Sequence, residues 1–132
     1  MNLFLKFLLN PGFRLVVVHS FVHYLFKRRL LRPLGLILWQ FEVVFTACHI
    51  SPRCALPRDI VFPHPVGIVI GDGVRLGSNV IVYQNVTIRL LNRNGHHYPE
   101  IGNNCIIYAG AVVVGKIVLQ NGAVVKANEV IR

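Results

Sequence analysis

From Ile50 to the C-terminus an apolar residue returns at every sixth position, with two interruptions. A period of six fits neither the 3.6-residue repeat of a helix nor the two-residue alternation of a strand. It predicts a three-sided solenoid, in which each short strand forms one side and about eighteen residues complete one coil. The repeat consists of Ile50, Leu56, Phe62, Ile70, Leu76, Val82, Ile88, Ile101, Ile107, Val113, Leu119, Val125 and Ile131.

The two interruptions are the places where we expect function. Pro63 to Gly67 shifts the phase of the repeat by two residues, and Arg89 to Glu100 is a polar stretch that contains His96 and His97. Insertions of this kind leave a solenoid at its corners, and loops on a rigid scaffold commonly carry binding and catalysis. Both interruptions contain histidine, whose ordinary pKa lies close to neutral pH.

Residues 1–47 read as helical, and residues 48–132 as the solenoid. Asn10 followed by Pro11 predicts a helix N-terminus, from which an apolar run extends to Leu31. Pro33 is expected to end that helix, and Leu34 to Ala47 to form another. Neither run offers about twenty uninterrupted apolar residues, so no membrane-spanning helix is expected. The first residues lack a signal-peptide pattern, which favours a cytoplasmic location.

The chain has 132 residues, which is enough for one domain with its own core. Its net charge of +9 favours an anionic partner. A phosphate-bearing cofactor or the surface of an anionic membrane would account for the charge. No nucleic-acid recognition motif is present, so nucleic acid is not expected as a partner.

Two groups of residues that often bind metals have simpler interpretations here. Cys48, Cys54 and Cys105 lack metal-ligand spacing, and we expect them to be buried free thiols. His19 and His23 stand four apart on one helix face, but no third ligand accompanies them, so helix packing is expected and no metal site.

An ordered series of motifs runs through the solenoid and resembles one family, the hexapeptide-repeat acyltransferases. The resemblance is closest to the serine acetyltransferase branch with its polysaccharide-modifying relatives. The segments that carry it are Asn10 to Arg14, His64 to Gly71, Tyr83 to Ile88, Tyr98 to Gly102, Ala109 to Ala111, and Lys126 to Asn128.

The resemblance implies a mainly β fold, a left-handed parallel β-helix with a short N-terminal helical segment, that assembles as a trimer. Acetyl-CoA would lie in the groove between two subunits, without a metal. Its pantetheine arm would contact Ala109, Gly110 and Ala127, with Lys126 nearby. Candidates for its phosphates are Arg89, Arg93, Lys116 and Lys126.

The resemblance also implies a general base, His64, that takes the proton from an acceptor hydroxyl. An imidazole with a pKa near 6.5 suits that task. The family's acidic partner of the base is replaced by His49, which we expect to hydrogen-bond His64. A second family histidine is replaced by Tyr98, beside His97. These two residues and Gln84 are the expected acceptor-binding residues.

Three functions remain open. The altered acidic positions favour a sugar hydroxyl of a surface polysaccharide or its precursor as the acceptor, with the basic helices docking at the inner face of the membrane. The alternative is a serine O-acetyltransferase of cysteine biosynthesis. A second alternative is a non-catalytic, truncated trimeric homologue.

Overall fold

A computed structural model describes residues 2–92 and 96–132. Three helices come first: α1 (Leu3–Leu9), α2 (Pro11–Lys27) and α3 (Arg32–Thr46). The described strands that follow are short: β1 (His49–Ile50), β2 (Val69–Ile70), β3 (Arg75–Leu76), β4 (Ile81–Val82), β5 (Thr87–Arg89), β6 (Glu100–Ile101), β7 (Ile106–Ile107), β8 (Val112–Val114), β9 (Val118–Leu119), β10 (Val124–Val125) and β11 (Val130–Ile131).

The strands form three parallel sheets, which are the three sides of a solenoid. Their orders are β1-β2-β5-β8-β11, β4-β7-β10 and β3-β6-β9. Strands β2 and β5 pair with a spacing of eighteen residues, as do β8 and β11. The spacing rises to twenty between β1 and β2 and to twenty-five between β5 and β8. The two sequence interruptions are therefore insertions at corners, and the predicted repeat is confirmed over four coils.

The repeat residues point inward and stack on their equivalents one coil away. In the largest sheet Ile50 pairs with Ile70, Ile70 with Ile88, and Ile88 with Val113. All four are buried, and stacked aliphatic side chains of this kind supply most of the favourable free energy of folding. The three cysteines are buried and free, as predicted.

One corner of the solenoid is built from residues in the left-handed backbone conformation. Its members recur coil by coil with φ between 54° and 65° at Ala47, Gly67 and Asn85, 72° at Gly110 and 60° at Asn128. Glycine and asparagine tolerate this conformation better than other residues. We call this column the Asn/Gly corner; it lies between the β4-β7-β10 sheet and the largest sheet.

The start of α2 agrees with the prediction, whereas the boundary between α2 and α3 differs from it. Asn10 caps α2 as expected, because its side chain accepts a hydrogen bond from the Phe13 N–H at 2.9 Å. However, α2 ends at Lys27 rather than continuing to Leu31, and Pro33 lies in the first turn of α3 rather than in a break. Proline lacks an N–H and so is tolerated in a first turn as well as after a helix end.

His19 and His23, the two histidines four residues apart on α2, join the helices to the first coil. His19 is fully buried, with Nδ1 3.0 Å from Glu42 Oε1 and Nε2 3.0 Å from the Cys54 carbonyl oxygen. His23 Nδ1 lies 2.8 Å from the Pro52 carbonyl oxygen. The helix-packing interpretation of both histidines is therefore confirmed. Across residues 2–92 and 96–132, no three His, Cys, Asp or Glu side chains are grouped to hold a metal ion.

Among the described residues no single helix is long and apolar enough to cross a membrane. Helices α1 and α2 together reach that length and composition, but a 106° bend separates them.

Candidate active site

His64 lies at the outward corner that the first insertion creates. The insertion turns tightly, because the His64 carbonyl accepts a hydrogen bond from the Val66 N–H at 2.9 Å. The Gly67 N–H then bonds the Ala47 carbonyl at 3.0 Å and returns the chain to the Asn/Gly corner. The His64 side chain is exposed. An imidazole in this position is accessible to a substrate.

Two tyrosines continue from His64 along the solenoid axis. The His64 and Tyr83 ring centroids are 6.4 Å apart. Tyr83 stacks on Tyr108 of the next coil, at 5.2 Å between centroids and 22° between ring planes. Tyr108 keeps 39% of its surface exposed. This tyrosine pair offers a flat apolar surface beside the candidate base.

The residues expected to bind the cofactor meet on the Asn/Gly corner. Backbone hydrogen bonds join Gly110 N–H to the Gln84 carbonyl at 3.0 Å and Asn128 N–H to the Ala109 carbonyl at 2.9 Å. Ala127 lies eighteen residues after Ala109, one coil further on. Gln84, Ala109, Gly110, Lys126 and Ala127 thus occupy consecutive coils of one corner, and their roles toward a cofactor or acceptor stay predictions.

Gly110 also has a structural reason to be glycine. Its φ is 72°, and a Cβ there would overlap the Asn128 Oδ1 atom. Lys126 is exposed, and its backbone N–H donates to Glu129 Oε2 at 2.7 Å, which closes the same turn.

Gln84 carries a buried acceptor atom with no partner. Its Oε1 has almost no accessible surface, yet no donor within the described residues reaches it. Gln84 is thereby available to hydrogen-bond a molecule that binds at this corner.

A cavity of about 350 Å³ lies beside the His64 corner, between the helices and the first coil. Gly12 allows α2 to approach closely there, because a Cβ at Gly12 would overlap the Phe62 carbonyl oxygen. Pro63, the residue before His64, is part of the cavity wall. The full lining is Lys6, Leu9, Asn10, Pro11, Gly12, Phe13, Arg58, Asp59, Ile60, Val61, Phe62 and Pro63.

The cavity holds charges of both signs that the sequence analysis missed. Lys6 and Arg58 are cationic and Asp59 is anionic, and all three line it. Charged residues in a turn usually belong to a solvated surface, and Arg58-Asp59 therefore gives little indication of a site. The one signal in the sequence is that acidic residues are rare, since the chain has just five. A small zwitterion would find a partner for each of its charges in this cavity.

His49 does not lie where its expected role requires. Its ring packs edge-on against Trp39, with 5.0 Å between centroids and 78° between planes. His49 is in register with Val69 of β2, and within the described residues no side-chain hydrogen bond joins His49 to His64. The expected hydrogen bond between them is therefore absent from the single chain.

Tyr98 and His97 lie at a different corner from His64. Tyr98 packs over Gly71 and Gly73, where a Cβ on Gly73 would overlap its ring. Burial and the neighbouring Asp72 carboxylate raise the pKa of the Tyr98 phenol. His97 is exposed beside it. Within one chain the structure therefore does not bring these two expected acceptor residues together with His64.

The remaining phosphate candidates are scattered. Arg89 borders a cavity of about 230 Å³ with Tyr98, and its Nη1 donates to the Leu90 carbonyl at 3.1 Å. Lys116 is exposed at a turn. Arg93 lies outside the described residues.

Most of the chain is similar in sequence to serine acetyltransferases. That of Staphylococcus xylosus is 34% identical over 121 residues, which are 91% of this chain and 56% of the relative. That of Helicobacter pylori is 30% identical over 125 residues, 94% of this chain and 72% of the relative. The chain therefore spans little more than half the length of the staphylococcal protein. No protein-family model matches it.

Solved structures give the same result. A serine acetyltransferase in complex with cysteine superposes with a TM-score of 0.87 at 27% identity, over 98% of this chain and 54% of that one. A serine acetyltransferase in complex with CoA superposes with a TM-score of 0.78 at 27% identity, over 88% and 47%. This similarity confirms the expected left-handed parallel β-helix.

Proposed function

Because the chain belongs to the serine acetyltransferase family, we propose that it transfers an acetyl group from acetyl-CoA to the hydroxyl of a small acceptor, with His64 as general base. The observation that carries this proposal is the position of His64, exposed at an outward corner beside a charged cavity and the Asn/Gly corner. Acceptor and donor would meet at this histidine.

The proposed step is direct transfer. The His64 imidazole takes the proton of the acceptor hydroxyl while its oxygen attacks the thioester carbonyl of acetyl-CoA. The carbon–sulfur bond then breaks, the CoA thiolate leaves, and the proton returns from His64 to the thiolate. An alcohol is a weak nucleophile at neutral pH, so a positioned base accounts for much of the rate.

Serine is the acceptor that the comparisons favour over the sugar predicted from the sequence, since the relatives carry serine in their names. The cavity beside His64 supports this choice. Asp59 would bind the ammonium group of the amino acid, and Lys6 or Arg58 its carboxylate. Charge-assisted hydrogen bonds of this kind fix the orientation of a small substrate.

A sugar hydroxyl is the second candidate, and a separate observation favours it. Tyr83, which is half-buried, and Tyr108, which is exposed, form a stacked surface beside His64. The apolar face of a sugar ring packs well on aromatic side chains, with a hydroxyl left free for the base. A sugar also needs no acidic partner for an ammonium group. Three of the four acidic side chains outside the helices already have partners: Asp72 contacts Arg53, Glu100 contacts Arg75, and Glu129 accepts from the Lys126 backbone.

The donor and the assembly belong to the same proposal. The neighbouring structure in complex with CoA supports acetyl-CoA as donor, placed along the Asn/Gly corner with Ala109, Gly110 and Ala127 at its pantetheine arm. A trimer would bring a second subunit against this corner. Tyr98 and His97 of that subunit would then lie near a neighbouring His64, from which they are separated within one chain.

The test is acetyl transfer measured as CoA thiol release, with serine and a panel of sugars as acceptors. His64→Ala should lower turnover by roughly 10²–10⁴-fold and leave CoA binding nearly unchanged. His96→Ala, an exposed histidine to which no role is assigned, is the matched control. Undiminished transfer by His64→Ala would remove His64 from the mechanism. No transfer by the parent protein with any acceptor would favour the non-catalytic homologue.

The acceptor is identified by a second pair of variants. Asp59→Asn should raise KM for serine at least about tenfold, because the ammonium group loses a charged partner. Glu100→Gln, an exposed acid that pairs with Arg75 of the neighbouring strand in the β3-β6-β9 sheet, is the control. If Asp59→Asn leaves serine transfer unchanged while Tyr108→Ala weakens transfer to a sugar, the sugar acceptor is correct.

A further inference from the structure

The helical part of the chain carries a one-sided charge. Residues 1–47 contain six basic side chains and one acidic side chain, Glu42. Glu42 is buried against His19, whereas every one of the basic side chains is exposed. The exposed charge of the helices is therefore entirely positive. The six are Lys6, Arg14, Lys27, Arg28, Arg29 and Arg32.

An uncovered apolar stripe runs along α3 between these cations. Its members recur at the spacing of one helix face, and all are more than half exposed. Val44 is 75% and Phe45 81% exposed. We call this surface the α3 stripe: Leu34, Ile37, Phe41, Val44 and Phe45.

Cations border the stripe at both ends. At one end Arg14 and Val18 of α2 line an apolar groove together with Phe41 and Phe45. At the other end the turn between α2 and α3 reads Lys27-Arg28-Arg29-Leu30-Leu31-Arg32, with Leu30 93% exposed. Exposed apolar side chains flanked by arginine and lysine match the layers of a membrane interface, where acyl chains lie beneath anionic headgroups.

We propose that the α3 stripe and the turn between α2 and α3 bind the surface of an anionic lipid bilayer. The helices of a second copy are the less suitable occupant, because facing helical segments would bring cations against cations with no exposed acid of the helices to pair them. Anionic headgroups neutralise the same cations while the acyl region buries Val44 and Phe45. This inference concerns a surface away from His64 and does not depend on the proposed reaction.

The test is co-sedimentation of the full chain with vesicles of phosphatidylcholine alone and of phosphatidylcholine and phosphatidylglycerol in equal amounts. The protein should bind the anionic vesicles and not the neutral ones, and added salt should weaken binding. Arg28→Gln with Arg29→Gln should weaken binding about thirtyfold, since each basic side chain at an anionic surface contributes about fivefold.

The apolar contribution is tested separately. Val44→Ser with Phe45→Ser should weaken binding at least about tenfold, because less apolar surface leaves water. Val118→Ser with Val124→Ser, which alters exposed valines of the solenoid, should leave binding unchanged. Circular dichroism of each variant checks folding. Failure of the parent to bind anionic vesicles overturns the proposal. It is also overturned if the Val44/Phe45 variant binds normally, or if light scattering shows that this variant dissociates into smaller oligomers.

Discussion

Removing His19 should destabilise the protein more than removing His19 and Glu42 together. The Cys54 carbonyl oxygen can only accept, so His19 Nε2 must carry a hydrogen. A further proton must then lie between Nδ1 and the Glu42 carboxyl group, which is 4% exposed. The two side chains form a closed, buried pair that tolerates the loss of both members better than the loss of one.

The magnitudes follow from what each change leaves unpaired. His19→Leu leaves a buried carboxyl group without a partner and should cost about 3–5 kcal/mol of unfolding free energy. Glu42→Leu leaves one imidazole nitrogen unpaired and should cost about 1–3 kcal/mol. In the double variant only the Cys54 carbonyl lacks its partner, at about 1–3 kcal/mol. Adding Glu42→Leu to His19→Leu should therefore restore stability.

Urea unfolding followed by tryptophan fluorescence measures these differences. The chain has one tryptophan, Trp39, and its Nε1 donates to the Ile50 carbonyl at 2.7 Å where α3 meets the first coil. His23→Leu is the matched control, because it removes a half-buried hydrogen bond to a carbonyl at about 0.5–1.5 kcal/mol. Its effect should add to that of Glu42→Leu. A His19→Leu and Glu42→Leu double variant whose loss equals the sum of the single losses would refute the reasoning.

Two more predictions concern the solenoid. Gly110→Ala should be less stable than Gly122→Ala by about 1–3 kcal/mol in urea unfolding, since both have positive φ but only a Cβ at Gly110 overlaps Asn128; equal losses would contradict this. Burial raises the pKa of the Cys54 thiol from 9.0 to about 11. Its contribution to stability is complete below pH 9 and is lost as pH rises toward 11, so unfolding free energy should fall by on the order of 2–3 kcal/mol in that window. Cys54→Ala should flatten this part of the pH profile, and an unchanged slope would contradict the assignment.

The solenoid could be predicted from the sequence because every inward position obeys the same requirement. An apolar side chain at Ile70 or Val113 stacks on its equivalent in the next coil. Apolar residues therefore recur along the sequence with a fixed period. Corner positions such as His64 were predictable only as irregularities in that period. The contacts they make depend on which insertion turns outward and how far.

The candidate site was harder to predict where contacts cross between elements. The charged cavity forms because Gly12 lets α2 approach Phe62 closely. No pattern in the sequence around Asp59 indicates that the helix lies there. The prediction that Pro33 lies in a break between helices was wrong, because a residue without an N–H suits a first helical turn as well as a helix break. The expected pairing of His49 with His64 came from a resemblance, and in this chain Trp39 occupies one side of His49.

The two insertions are absorbed at corners, and the strand register resumes at the next pairing on either side. Length can therefore change at a corner without disturbing the stacked core of neighbouring coils. The first coil and the helices, where the acceptor is proposed to bind, can therefore diverge independently of the later coils along which the donor is proposed to lie. The architecture is modular in this sense, and the corner from Pro63 to Gly67 could be exchanged for that of a relative while leaving the scaffold intact.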